Sequence, residues 1–283
     1  MKTQYDLAYS SCPNDTFIFK AIAKGLIPCP DINFNIVLKD VETLNQHAAA
    51  GIYPITKLSV AAFGNLLDKY ALLRTGAALG KGCGPLLISL PGRLPQDSQA
   101  PVIAVPGMGT TACHLFQFYM ADRFPGITPE IRPMPFETVM PAVIQKEADF
   151  GVIIHEGRFV FQTMNLAMTA DLGQWWEEKT GLPIPLGCIA IRRDLGQDAA
   201  CRIQALIGRS IDHAVAHPDL GADYIRAHAQ ELAEDVIRQH ISLYVNDYSK
   251  NIGDQGTLAV TTFFDHARKA GLMAPADHPL FAC

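Results

Sequence analysis

Apolar positions along this chain fall into short runs that switch between period two and helical spacing. Residues 4–10 form a brief apolar strand, and helical spacing follows from Pro13 to Lys24. Ile32, Phe34, Ile36 and Leu38 alternate strictly, which predicts a strand with one buried face. Asp40 supplies a cap for a helix over residues 41–50, which Gly51 ends. Ile55–Leu58 is a short strand that runs into a helix over 59–67. Glycines at 76, 80, 82 and 84 then precede an apolar strand at 85–90, and this stretch is either a hinge or an ordinary surface loop. After a polar loop to Ala100 the alternation restarts, with strands predicted at 102–105, 131–134 and 149–155 and helices at 110–123 and 136–146. Leu186–Arg192 is a further apolar strand, a natural return crossing. From Asp198 to Leu272 the pattern is almost wholly helical, with cap signals at Pro218-Asp219 and Asp254.

Strand–helix alternation implies parallel sheets with helices on their faces. Two α/β lobes joined by two crossings, the second inserted into the first, follow the plan of a type II periplasmic-binding-protein-like fold with a ligand cleft between the lobes. The expected division is residues 1–88 for the first part of lobe one, 89–187 for lobe two, and 188–283 for the return strand and C-terminal helices.

Composition narrows the function. With 49% hydrophobic and 18% charged residues the 283-residue chain is globular. Its 23 basic and 28 acidic residues give a net charge of -5 and no Lys/Arg cluster, which argues against a nucleic-acid partner. Seven cysteines without a C-x-x-C pair speak against a disulfide framework or a cysteine-rich zinc site. The segment before Cys12 is too short and too charged for a signal peptide, and residues 99–121, though free of charge, are broken by prolines and glycines. The expectation is a cytoplasmic protein with no membrane insertion.

Open α/β sheets bind ligands at the carboxyl ends of their strands, so the strand-to-helix turns are the places to search. Ser10–Thr16 offers hydroxyl and amide groups at a helix N-terminus, with Asn14 and Asp15 either capping the helix or meeting a ligand. In Thr56–Ser59, Lys57 and Ser59 are candidates for holding a carboxylate, or else a snorkelling lysine and a capping serine. Pro106–Thr111 combines glycines with Thr110 and Thr111, suiting an anion, yet it is neither a P-loop nor a dinucleotide fingerprint. Finally, an apolar strand delivers His155 to its C-terminal edge, as a general base or as a satisfied structural histidine. Strand alternation would point Glu156 away from it. His213, His217, His228 and His240 lie in the helical tail and form no zinc motif, although His213 and His217 stand four apart. Trp175 and Trp176 are expected to anchor a helix against the core.

With these turns in hand, the chain resembles the 1,4-dihydroxy-6-naphthoate synthases, enzymes of the futalosine route to menaquinone. The matching stretches are Ser11–Phe19, Lys39–Asn45, Ile55–Ser59, Gly76–Leu87, Gly151–Phe159, Asp171–Gly187 and His278–Phe281, in order along nearly the whole chain. The resemblance implies a lyase that cleaves cyclic dehypoxanthine futalosine, a small carboxylated substrate, to 1,4-dihydroxy-6-naphthoate and dihydroxyacetone without metal or organic cofactor. It implies His155 as proton-abstracting base and substrate-binding segments at Lys57, Leu58 and Ser59 and at Thr110 and Thr111, with Asn14 and Asp15 adjoining. One departure is Ser11, where family members usually carry proline between a serine and the cysteine. Rival expectations are a solute-binding protein that captures an anion unchanged, and the sister chorismate-dehydrating enzyme.

Overall fold

The computed structural model describes residues 2–229 and 233–283. Two sheets carry the architecture. The first draws on β1 (Thr3–Tyr9), β2 (Ile32–Leu38), β3 (Ile55–Ser59), β4 (Tyr70–Leu72) and β5 (Ala78–Gly80). The second is built from β6 (Leu86–Ser89), β7 (Val102–Val105), β8 (Glu130–Pro133), β9 (Phe150–Ile153) and β10 (Ala167–Asp171). The chain returns to the first sheet through β11 (Ile184–Arg192), giving orders β2-β1-β3-β11-β4, with β5 also on β11, and β10-β6-β9-β7-β8.

The sheets are mixed rather than parallel. β1 pairs parallel with β2 and β3, but β11 runs antiparallel to β3, β4 and β5. β7 likewise pairs parallel with β8 and β9, while β6 and β10 are antiparallel. The crossings are the cause: a strand that enters or leaves a lobe without a helical crossover must run against its neighbour. They also fall earlier than the expected limits. β6 already belongs to the second sheet from Leu86, and β11 to the first from Ile184. At the first crossing a Cβ on Gly84 would lie 2.2 Å from the Gly173 Cα, so two glycine backbones touch there. Around it, Cys83–Leu86 are buried, so this part of the glycine-rich stretch is not a surface loop.

Helices follow the strands as expected in α1 (Pro13–Ala23), α2 (Val41–Ala49), a short α3 (Val60–Gly64), α4 (Thr111–Arg123) and α5 (Phe136–Ile144). The brief α6 (Gly157–Val160) has no counterpart in the apolar pattern, and α7 (Leu172–Thr180) carries the tryptophan pair. The tail is divided into α8 (Gln197–Ala216), α9 (Ala222–His228), α10 (Glu234–Tyr244), α11 (Asp247–Lys250) and α12 (Gly253–Lys269). Asp40 caps α2 by accepting from the Thr43 N–H at 2.9 Å, and Asp171 caps α7 through Gly173 and Gln174.

One apolar cluster unites the lobes. Leu58, Phe63 and Phe263 from the first pack with Leu87, Phe116, Val152 and Trp176 from the second. Trp176 is fully buried and donates its indole N–H to Pro183 O at 3.2 Å, while Trp175 donates to Asp122 at 3.0 Å. Burial of such side chains is worth roughly 1.5–3 kcal/mol each, so the cleft has a shared floor. A separate cluster of Leu7, Ile18, Phe19, Ile189 and Ile207 lines the outer face of the first sheet under α1 and α8. Among the described residues no helix is long and apolar enough to cross a membrane.

Candidate active site

Three strand-to-helix turns and the end of β9 converge on one cavity. Asn14, Asp15, Lys57, Ser59, Thr110, Thr111 and His155 all line it. Leu58 does not: alternation along β3 turns its side chain into the shared core, where it is fully buried. Apolar walls come from Ala78, Pro85, Ala112, Ile154 and Leu186, with Tyr244 from α10. A wider, more polar space with Asp40, Glu42, Gln46, Pro106, Gly107 and Glu137 adjoins, and Ser10, Val41 and His155 border both.

The first turn is ordered by charge. Lys57 Nζ and Asp15 Oδ1 stand 2.6 Å apart with side chains only 5% and 1% exposed. Asn14 donates to the same oxygen at 2.9 Å, and Ser10 donates its hydroxyl to Oδ2 at 2.7 Å. The lysine therefore reaches the cavity already paired, and its charge is matched before any ligand arrives. Ser59 is fixed by Asn45, which accepts from the Ser59 N–H at 3.0 Å and donates to its hydroxyl at 3.1 Å.

Thr110 caps α4: its hydroxyl accepts from the Cys113 N–H at 3.2 Å and donates to Gly107 O at 2.8 Å. Thr111 ties the lobes together, donating to Leu186 O at 2.9 Å and accepting from the Ala61 N–H at 3.2 Å. Thr111 and Ala112 open the helix, where N–H groups lack partners within the helix and favour an anion. At the mouth, Glu42 reaches over from α2: Gly109 N–H approaches its Oε1 at 3.4 Å, and a Cβ on Gly107 would lie 2.5 Å from its Cδ. Gly107 has φ 131°, a conformation that only glycine adopts readily.

β9 stops at Ile153, two residues short of the expected end, and His155 sits in the following turn with φ 54°. Holding a non-glycine residue there costs about 1–3 kcal/mol, a strain that clusters at functional sites. Because the strand has ended, alternation no longer governs Glu156, which is buried on its own account. The His155 Nδ1 lies 3.4 Å from Cys12 Sγ, the Phe136 ring meets its edge at 5.4 Å, and the His240 ring stacks at 6.2 Å. His155 is open to the cleft on one side, and burial elsewhere lowers its pKa, opposed by Glu156, Asp15 and Asp40 and aided by Lys57. Burial, with the charges of Glu156 and Asp15, pushes the Cys12 thiol well up, so it stays protonated.

Asn45, Glu42, Tyr244, Glu156 and His240 escaped the sequence reading as site residues. Glu42 and Asn45 lie three apart in the Lys39–Asn45 stretch, the signal that pointed to α2. His213 and His217 bring their rings to 4.8 Å, yet among the described residues no group of three or more His, Cys, Asp or Glu is arranged to hold a metal ion.

Comparison with known proteins supplies the context. Residues 5–269 match a family model described as menaquinone biosynthesis. The 1,4-dihydroxy-6-naphthoate synthase of Thermus thermophilus is 45% identical over 275 residues, covering 97% of this chain and 98% of the relative. The enzyme of the same name from Streptomyces coelicolor is 40% identical over 274 residues, covering 96% and 95%. Among solved structures, a protein of Archaeoglobus fulgidus superimposes with a TM-score of 0.86 at 31% identity, covering 95% of this chain and 98% of that one. The periplasmic aliphatic sulphonate-binding protein of Escherichia coli gives 0.69 at 10% identity, covering 96% and 89%, a likeness of fold alone. The two-lobed architecture is thus periplasmic-binding-protein-like, and the chain belongs to the menaquinone biosynthesis family.

Proposed function

We propose that this protein is a 1,4-dihydroxy-6-naphthoate synthase: a carbon–carbon lyase that converts cyclic dehypoxanthine futalosine to 1,4-dihydroxy-6-naphthoate and dihydroxyacetone, in the cytoplasm. The observation that carries it is the setting of His155, strained and half-open at the rim of an apolar slot that also holds the start of α4. The slot suits a flat bicyclic acid, and the adjoining polar space suits the sugar-derived part.

In this mechanism the N–H groups of Thr111 and Ala112 at the start of α4 receive the substrate's carboxylate, helped by the Ser59 hydroxyl. The Thr110 and Thr111 hydroxyls, already donated to Gly107 O and Leu186 O, hold that turn in place. Lys57 and Asp15, already matched, hold the first turn in shape with Asn14. With Nδ1 turned to Cys12, Nε2 is the nitrogen left for the substrate. Neutral His155 takes a proton from the sugar-derived ring, the ring opens, a carbon–carbon bond breaks, and aromatisation drives release of the second fragment. The shared floor and the Glu42 contact at the mouth exclude water and order the reacting groups.

The test is incubation of purified, metal-stripped protein with cyclic dehypoxanthine futalosine, following products by chromatography and mass. Naphthoate is expected, with a loss of at least ~10²-fold in His155→Ala. Near-normal turnover by a folded His155→Ala would overturn the base assignment. Tight capture without turnover would point instead to a binding protein on the same scaffold, and turnover of chorismate to the sister enzyme.

A further inference from the structure

Behind His155 lies a set of buried polar side chains that the mechanism leaves unused. The Glu156 side chain is 10% exposed, and among the described residues its buried Oε2 has no hydrogen-bond partner. Among the described residues no lysine or arginine pairs with it. The group nearest in kind is His240 Nδ1, 3.8 Å away and equally without a partner.

His240 is wholly buried, and its Nε2 contacts Asn14 Oδ1 at 2.9 Å. Asn14 directs that bond: its amide N–H₂ donates to the Asp15 carboxylate, which can only accept, so its oxygen must receive from His240. His240 therefore carries its hydrogen on Nε2 and shows Glu156 a lone pair. Its ring is nearly parallel to that of His155, with centroids 6.2 Å and planes 14° apart. A buried carboxylate facing a lone pair is costly as it stands. It gains a matching charge only when a proton arrives close by.

We infer that Glu156 is a positioning residue of the proton transfer: its buried carboxylate is the counter-charge for the imidazolium that His155 becomes, with neutral His240 held between the two. This rests on His155 being the base. Burial, His155 and Lys57 together hold His240 well below the ordinary imidazole range, so the abstracted proton stays on His155. The other titratable groups facing this cluster are Cys12 and Asp15, Asp40 at the start of α2, Lys57 from β3 and Tyr244 from α10. Asp15 is matched by Lys57 at 2.6 Å, and Asp40 caps α2 at 2.9 Å. Among the described residues, Glu156 is thus the carboxylate of the cluster with a buried oxygen left without a donor.

The test is Glu156→Gln, with the His155 imidazole titrated by carbon NMR alongside the pH profile of kcat/KM. A base works in its neutral form, so losing the counter-charge moves the His155 midpoint and the acid limb of the profile together to lower pH, by about one unit. The weaker base should also lower kcat roughly tenfold while KM holds, and Glu156→Asp should restore most of both. An unmoved midpoint overturns the inference, as does a loss expressed in KM alone. Should Glu156→Gln not fold, Glu156→Ala is titrated in its place, and an unmoved His155 midpoint there sinks the idea. Turnover by His155→Gln would remove the base assignment separately, because the NMR midpoint needs no turnover.

Discussion

Replacing Lys57 by methionine asks how much the buried ion pair beneath the cavity contributes. Methionine keeps the unbranched stem, one atom shorter, and removes the charge. Asp15 then retains Asn14 and Ser10 as donors but loses its cation, with a side chain only 1% exposed. Stranding one member of a buried pair costs about 3–5 kcal/mol, a large share of the roughly 5–15 kcal/mol that holds a domain folded. For a chain of this size each kcal/mol moves Tm by about 2–4 °C, so a fall on the order of 10 °C is expected. The assay is calorimetric and denaturant unfolding of Lys57→Met, Asp15→Asn and the double variant. The double variant should recover about 2 kcal/mol relative to the sum of the singles, because no buried charge is left uncompensated. A cost under about 1 kcal/mol for Lys57→Met, or simple additivity, would refute the view that the pair is dry and mutually dependent.

Two further perturbations probe other links. Gly107→Ala places a methyl 2.5 Å from the Glu42 carboxyl carbon at a φ of 131°, and should weaken substrate binding about tenfold by calorimetry, with partial recovery in a Glu42→Ala background. Unchanged affinity would show that the mouth contact has no part in closure. Burial pushes the pKa of His114, on α4, down to about 4. An unfolded histidine takes its proton at about 6.5. Between those values the unfolded chain binds more protons. Stability from this group is therefore complete above pH ~6.5 and falls by about 3 kcal/mol as pH drops to about 4. Unfolding curves for His114→Leu should show a shallower loss in that window, and an identical slope would contradict the assignment.

The sequence by itself determined the elements and the places where chemistry gathers. Strict alternation over Ile32–Leu38 is β2 residue for residue, and Asp40 caps the helix it precedes. Such features rest on neighbours within four residues, so a linear pattern contains them. The same locality explains what was misjudged. Alternation carried past Ile153 placed His155 and Glu156 on opposite faces of a strand that had already ended. Within the Lys57–Ser59 segment that the resemblance implied, β3 turns the Leu58 side chain into the core and its two neighbours to the cavity.

Only the tertiary structure decided which distant groups meet. The mixed sheets follow from β11 returning antiparallel to β3 and β6 entering antiparallel to β9, directions no apolar run encodes. His240 reaches Asn14 across 226 positions, and it does so because α10 packs on α1, not because of any motif around it. The pairing of Lys57 with Asp15 likewise spans 42 positions, and through it the lysine lines the cavity with its charge already matched. Hydrophobic periodicity reports how deeply a residue is buried, while the partner of a buried charge is set by the packing of whole elements.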